Sequence, residues 1–291
     1  MGVFFFGMGY SSRAVAQALH SIRDSGIPIA GTAREIAESL PKSAYRLHKF
    51  HGNAPGATLG DDLHKATHIV VSIPPDEHGD PVLRHHANDI AAAKHLQWLC
   101  YFSTVGVYGD FGGRLTDETA ETHPINQRSQ RRVAVEQHWQ AFAKQYKLPL
   151  LILRLAGIYG PGRSQFDKLR DGTARRIVKP GQVFNRIHVE DIGRVTALAA
   201  LQELGGTFNL ADDEAAPPQE VVAYAAGLLG IAPPPEQPFD TAEMTPMARS
   251  FYADNKRVSN AAIKRALGIE LLYPTYREGL AAILSEEKQS V

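Results

Sequence analysis

Short, wholly apolar runs recur along this chain with helical periodicity between them, and that alternation restricts its fold more than any other feature. Val3 to Phe6 lead into a helical stretch from about Ser11 to Asp24. "IPIAGT" (27–32), a short helical stretch, "THIVVSI" (67–73) and a helix over about 80–95 come next. "LQWLCYFST" (96–104), an arginine-bearing helix to about Tyr146 and "LPLLILRL" (148–155) complete the series. A strand with one wet face alternates apolar and polar residues, whereas a strand covered on both faces is apolar throughout. The runs therefore predict an α/β protein with a doubly wound parallel sheet.

Beyond Gly162 the pattern loosens. A segment around 165–182 is followed by a strand and helix at "RIHVEDIGRVTALAAL" (186–201) and a strand at "GTFNLAD" (206–212). "IAPPPEQP" (231–238) is too proline-rich for either element and reads as a surface connection. The C-terminal third is read as a smaller lobe whose chain partly returns to the main sheet. With 291 residues the chain is long enough to bury a real core.

Its 31 basic and 31 acidic residues cancel, so nothing favours nucleic acid or an anionic membrane as partner. A single cysteine, Cys100, excludes an internal disulfide and a cysteine-rich zinc site and points to a reducing cytoplasm. The opening "MGVFFFGMG" lacks a basic flank and stops at glycines, so it reads as a buried strand and not as a signal peptide. No apolar run approaches the roughly 18 residues of a membrane helix, and a soluble protein is expected.

"FFFGMGYSSRA" carries the first motif. A strand that runs into Gly7-x-Gly9 and then a helix presents backbone N–H groups where a pyrophosphate can sit, with Tyr10, Ser12 and Arg13 beside it. Ser12 occupies the third position of G-x-G-x-x-G, where it is small but not glycine. The plain alternative is a tight strand-to-helix turn. The second strand ends "GTAR": Thr32 stands where an NAD-specific loop places an acid, and Arg34 lies two residues on. A carboxylate repels a 2′-phosphate, while a hydroxyl and a guanidinium bind one, so NADP is favoured over NAD. Arg13 is close enough in sequence to join them, and Arg34 alternatively reads as a solvated helix-start residue. Ser72, Ile73 and Pro74 of "SIPP" close another strand, where contact with the cofactor without specific recognition is expected.

"STVGVYG" (103–109), "LRLAGIYGPGRS" (153–164), "RIHVEDIG" (186–193), "FNLADDE" (208–214), "NKRVSNAAIKRALG" (255–268) and "YPTYREGL" (273–280) occur in that order. Together they resemble the extended short-chain dehydrogenase/reductase superfamily, the NAD-dependent epimerase/dehydratase family. The resemblance spans nearly the whole chain and implies a Rossmann domain of residues 1–164 plus about 184–212. It also implies a small substrate lobe of about 165–183 plus 213–291. It implies that Thr104, four residues before Tyr108 and with Ser103 beside it, hydrogen-bonds the substrate oxygen. The structural alternative is a strand-end threonine satisfying backbone groups.

The same family carries Tyr-x-x-x-Lys on the following helix, where the lysine lowers the tyrosine pKa. Here that helix begins "NQRSQRRVAVE" (126–136), and counting back from Glu136 puts Arg132 at the lysine and Arg128 at the tyrosine. An arginine stays protonated and cannot shuttle a proton as a tyrosinate does. No tyrosine lies between Asp110 and Trp139, so a register error cannot restore the pair, and the chain resembles an atypical member. The arginines read either as an anion site or as a solvated face.

Tyr108 and Tyr159 are candidates for a surrogate acid, with core packing as the plainer role. His48, His51, His85, His86 and His188 lack metal-ligand spacing, so no metal is expected. His188 reads as part of a structural strand, with Asp191 capping the helix after it. In many relatives the helices of about 80–95 and 125–146 form a four-helix dimer interface. The arginine face works against that here, so monomer and homodimer both stay open. Two functions follow: an NADP-dependent oxidoreductase, epimerase or dehydratase acting on a small polar or sugar-nucleotide substrate, or a non-catalytic NADP-binding redox sensor.

Overall fold

The structure, a computed structural model, describes residues 1–22, 26–36 and 45–289. In chain order its elements begin with β1 (Val3–Phe6), α1 (Tyr10–Ile22), β2 (Ile29–Ala33), β3 (Arg46–Lys49), α2 (Gly60–Lys65) and β4 (His68–Val71). Next come α3 (Pro81–Ala91), β5 (Trp98–Thr104), a 3₁₀ turn (Val105–Tyr108), β6 (Leu115–Thr116), α4 (Gln127–Tyr146), β7 (Leu150–Leu155) and β8 (Gly157–Tyr159). The remainder are α5 (Gln165–Arg170), β9 (Arg176–Val178), β10 (Arg186–His188), α6 (Val189–Leu201), β11 (Gly206–Leu210), α7 (Pro218–Leu229), β12 (Glu236–Pro238), α8 (Pro246–Ser250), β13 (Arg257–Val258), α9 (Ala261–Leu267) and α10 (Tyr276–Gln289).

The apolar runs form a central seven-stranded parallel sheet in the order β11-β7-β5-β4-β1-β2-β3. The chain winds outward from β1 to β3, then restarts at β4 on the other side of β1. The order thus reverses between β1 and β4, and in open parallel sheets it is at the carboxyl ends of such a switch point that ligands bind. On one face Phe4, Phe6, Ile69, Val71, Leu99 and Tyr101 pack with Val82 and Ile90 of α3 and with Val135, Trp139 and Phe142 of α4. α6 approaches α1 closely: a methyl group on Gly193 would stand 2.5 Å from the carbonyl oxygen of Ala14.

Two elements depart from the sequence reading. The stretch before "THIVVSI" includes strand β3, whose "RLHK" buries only His48 and therefore lacks an apolar signature. The expected end of the first helix at Asp24 lies outside the described residues, as do residues 37–44 of the stretch read as short helix, where α2 is the helix described. "IAPPPEQP" supplies strand β12, which pairs with β9 from Glu236 to Pro238. A proline is tolerated in such a short edge strand because its missing N–H faces away from the partner.

Two compact units divide the chain. The first comprises Met1–Val107, Asn126–Arg154 and Ile192–Phe208, and the second Tyr108–Ile125, Leu155–Asp191 and Asn209–Val291. Residues 108–125, 155–164, 184–191 and 209–212, drawn with the sheet in the sequence reading, belong to the second unit, where β6 pairs with β13 and β8 with β10. That unit has its own core of Tyr159, Phe166, Val221, Ala225, Tyr276, Leu280 and Ile283. Among the described residues no helix is long and apolar enough to cross a membrane.

Candidate functional site

The glycine loop follows β1 at the reversal of strand order. Gly7 has φ +96°, where a side chain is strained, and a methyl group there would meet the Ser72 hydroxyl at 2.7 Å. Its N–H donates to Thr32 Oγ1 (2.9 Å), and Met8 N–H donates to the Thr32 carbonyl (2.7 Å). Ser12 Oγ donates to Ser72 Oγ (3.0 Å), which donates to the Gly7 carbonyl (2.7 Å). The turn is thus tied to the ends of β2 and β4. A methyl group on Gly9 would meet nothing within 4 Å, which leaves open space before the N-terminus of α1, and no acid stands in that helix's first turn. These features fit a dinucleotide pyrophosphate.

Thr32 corrects the sequence reading. It is fully buried and its hydroxyl is turned to Gly7, so it braces the loop and does not reach a ribose phosphate. Ser12, also fully buried, packs and ties the loop in the same way. Arg13 and Arg34 are both exposed, and Tyr10, Ser72 and Ile73 are half-buried. Pro74 is exposed beyond β4.

The second group of candidates lies where α4 packs on β5. The inward stripe of α4 runs Ser129, Arg132, Glu136, Trp139 and Ala143, spaced three and four apart as one face of a helix requires. Three of these residues bond to neighbouring strands and helices. Arg132 Nη1 donates to the Tyr101 hydroxyl (2.9 Å) and the Phe102 carbonyl (2.7 Å). Glu136 accepts from Ser103 Oγ (2.5 Å) and from Arg154 of β7 (2.7 Å). Trp139 Nε1 donates to Asp80, which caps α3. Burial raises the Asp80 carboxyl above its ordinary range, and the Trp139, Leu83 and Val82 N–H groups and nearby Arg132 oppose the shift.

Arg132 is therefore neither a solvated residue nor an open anion site but a strap onto β5. Ser103, with its hydroxyl held by Glu136, is not available to a substrate. Arg128 is exposed on the first turn of α4. Thr104 is half-buried, and its Oγ1 accepts only from the Gly106 N–H (3.1 Å). Of the residues assigned to catalysis it alone keeps an accessible hydroxyl. The Glu136–Arg154 pair and Ser129 were missed from sequence, because polar residues on an arginine-rich helix look like a solvated face.

In the second unit Tyr108 is fully buried and donates to Asn209 Oδ1 (2.8 Å). Tyr159 is 8% exposed, its hydroxyl lies against Gly279, and burial raises its pKa further above the usual phenol range. Neither can serve as the surrogate acid. His188 lies in β10 as expected, and Asp191 accepts from the backbone N–H groups of Leu272 (2.7 Å) and Tyr273 (3.0 Å), anchoring a distant loop instead of capping its own helix. Asp212 is buried, and burial raises its pKa to about 8 although Arg186 and the Glu214 N–H pull it down. Among the described residues no cluster of His, Cys, Asp or Glu has the makings of a metal site.

The model of the NAD dependent epimerase/dehydratase family matches residues 85–211. The chain is 30% identical over 193 residues to Protein YeeZ of Escherichia coli K12, a match covering 64% of this chain and 62% of that protein's length. A structure described as a functionally unknown conserved protein from Silicibacter pomeroyi DSS superposes with TM-score 0.87 at 45% identity, over 99% of both chains. The UDP-glucose 4-epimerase of Thermus thermophilus, solved in complex with NAD, superposes with TM-score 0.75 over the full length of both at 19% identity and so shares the fold. The strand order, the glycine loop and this match over residues 85–211 agree: the chain has the fold of the NAD-dependent epimerase/dehydratase family and resembles an atypical member of it.

Proposed function

We propose that this protein binds a nicotinamide dinucleotide, NADP in preference to NAD, and acts as an epimerase/dehydratase-type oxidoreductase on a small polar substrate of the sugar-nucleotide class. The observation that carries the reading is the braced Gly7–Gly9 turn, with open space at Gly9 and no acid beside it. Backbone N–H groups at the start of α1 take the pyrophosphate, and the exposed guanidinium groups of Arg13 and Arg34 take the 2′-phosphate. The nicotinamide, when bound, supplies hydride chemistry. Thr104 orients the substrate oxygen with its hydroxyl. We assign substrate choice to residues of about 165–183 plus 213–291. No side chain at 128 or 132 can cycle a proton, so the chain forgoes the roughly 10²- to 10⁴-fold that a placed acid or base contributes.

Fluorescence titration of NADPH and NADH tests the cofactor assignment. NADPH is expected to bind more tightly, and Arg34→Ala to weaken NADPH alone by about tenfold, the equivalent of one charge-assisted contact. Equal affinities for the two dinucleotides, or a preference untouched by Arg34→Ala, would remove the 2′-phosphate assignment.

A further inference from the structure

Position 128, where the family's tyrosine belongs, is exposed, but the next residue is not. Each step along a helix turns the side chain by about 100°, and Ser129 is turned inward, only 3% exposed. Its backbone N–H is held by the Asn126 cap (2.9 Å), which fixes the first turn of α4. Its hydroxyl makes no hydrogen bond within the described residues and is not among the sealed, unsatisfied polar atoms. A Ser129 hydroxyl that is nearly enclosed and still reachable is poised for a ligand atom.

Gly106 shows where that hydroxyl points. A methyl group built on Gly106 would stand 3.1 Å from Ser129 Oγ and 3.4 Å from Thr104 Oγ1. The two hydroxyls therefore flank one small gap at the carboxyl end of β5, and Thr104, Val105 and Gly106 around it are half-exposed. Gly106 is not among the glycines with positive φ, so the absence of a side chain there keeps the gap open and is not required by the backbone.

We infer that Ser129 is a second substrate-binding hydroxyl of this site: Ser129 Oγ and Thr104 Oγ1 together hold one carbonyl or hydroxyl oxygen of the substrate over Gly106. The serine takes over the holding role of the missing tyrosine hydroxyl without its acid–base role. The inference rests on the proposed function, because it takes the end of β5 as the substrate end of the site.

The test uses two probes, dihydroxyacetone and UDP-glucose, with binding followed by saturation-transfer NMR in the presence and absence of NADP⁺, where no reduction of the probe can occur. Wild type is expected to bind at least one probe saturably. Ser129→Ala, and independently Gly106→Ala, which fills the gap from the other side, should each weaken binding roughly three- to tenfold, the range for one neutral hydrogen bond. Ser129→Thr, which keeps the hydroxyl, should restore it. NADPH affinity, read separately by fluorescence, should stay within about twofold in every variant. Unchanged probe affinity in whichever of the two alanine variants folds overturns the inference, as does a wild type that takes neither probe. A wild type that holds a probe but no NADPH instead sinks the dinucleotide reading and leaves the two-hydroxyl site standing.

Discussion

Arg132 shows how far the identity of a residue can mislead about its role. The sequence reading sets it at the position of a lysine that in the family serves chemistry, yet its guanidinium is bound to the Tyr101 hydroxyl and the Phe102 carbonyl and rests 5.6 Å from the Tyr101 ring. Arginine suits this task because it stays charged and its flat guanidinium both donates, through Nη1, to two acceptors and lies near an aromatic ring. Arg132→Ala should then lose stability by about 1.5–3 kcal/mol, the range for hydrogen bonds from a charged group. Arg132→Lys, which keeps the charge but loses the flat guanidinium near the Tyr101 ring, should fall between the two. Urea unfolding reads both, and an alanine variant within about 0.5 kcal/mol of wild type would mean the strap carries no load.

At the scale of the element, α4 packs through a stripe whose first three members are polar. Its burial is tolerable because their groups find partners or, for Ser129, keep some access to solvent. Glu136 and Arg154 are 3% and 8% exposed, so removing one breaks an ion pair that water is poorly placed to replace. Glu136→Ala should cost about 3–5 kcal/mol, whereas Glu136→Leu with Arg154→Met should recover most of it, since breaking a buried pair is costlier than replacing both halves. A double-mutant cycle in denaturant measures this, and additive losses would refute the coupling. The strands β1, β2, β4, β5 and β7 were legible because a strand buried on both faces must be apolar throughout. β3 was not, since an edge strand with one buried side chain carries no such mark, and β12 hid behind its prolines. In the site, the Gly7–Gly9 turn was legible from spacing alone. The inward turn of Thr32 and the partners of Ser103 were not, because a hydroxyl at a strand end reads the same whichever way it faces and Glu136 lies 33 residues from Ser103.

Across the whole molecule, two buried groups of the second unit tie stability to pH with opposite signs. Burial lowers the His188 pKa from 6.5 to about 4, so its contribution is complete above 6.5 and is lost as pH falls towards 4. Asp212 is raised from 3.8 to about 8, so its contribution is complete below 3.8 and is lost as pH rises to 8. Between 4 and 6.5 the two oppose each other. From 6.5 to 8 only Asp212 still titrates, and stability should fall by about 1.4 kcal/mol per pH unit at most. Asp212→Asn should flatten that decline in thermal unfolding scans, and an equal slope in the variant would assign it to other groups. Asp191 bears on the protein before it is finished. The N–H groups that anchor its carboxylate come from residues 81 and 82 positions later in the chain. A ribosome adding about 5–20 residues per second delivers them roughly 4–16 s after Asp191 itself. For that interval water stands in for the two N–H groups at this carboxylate, and the second unit cannot close this anchor until the loop that carries them has been made.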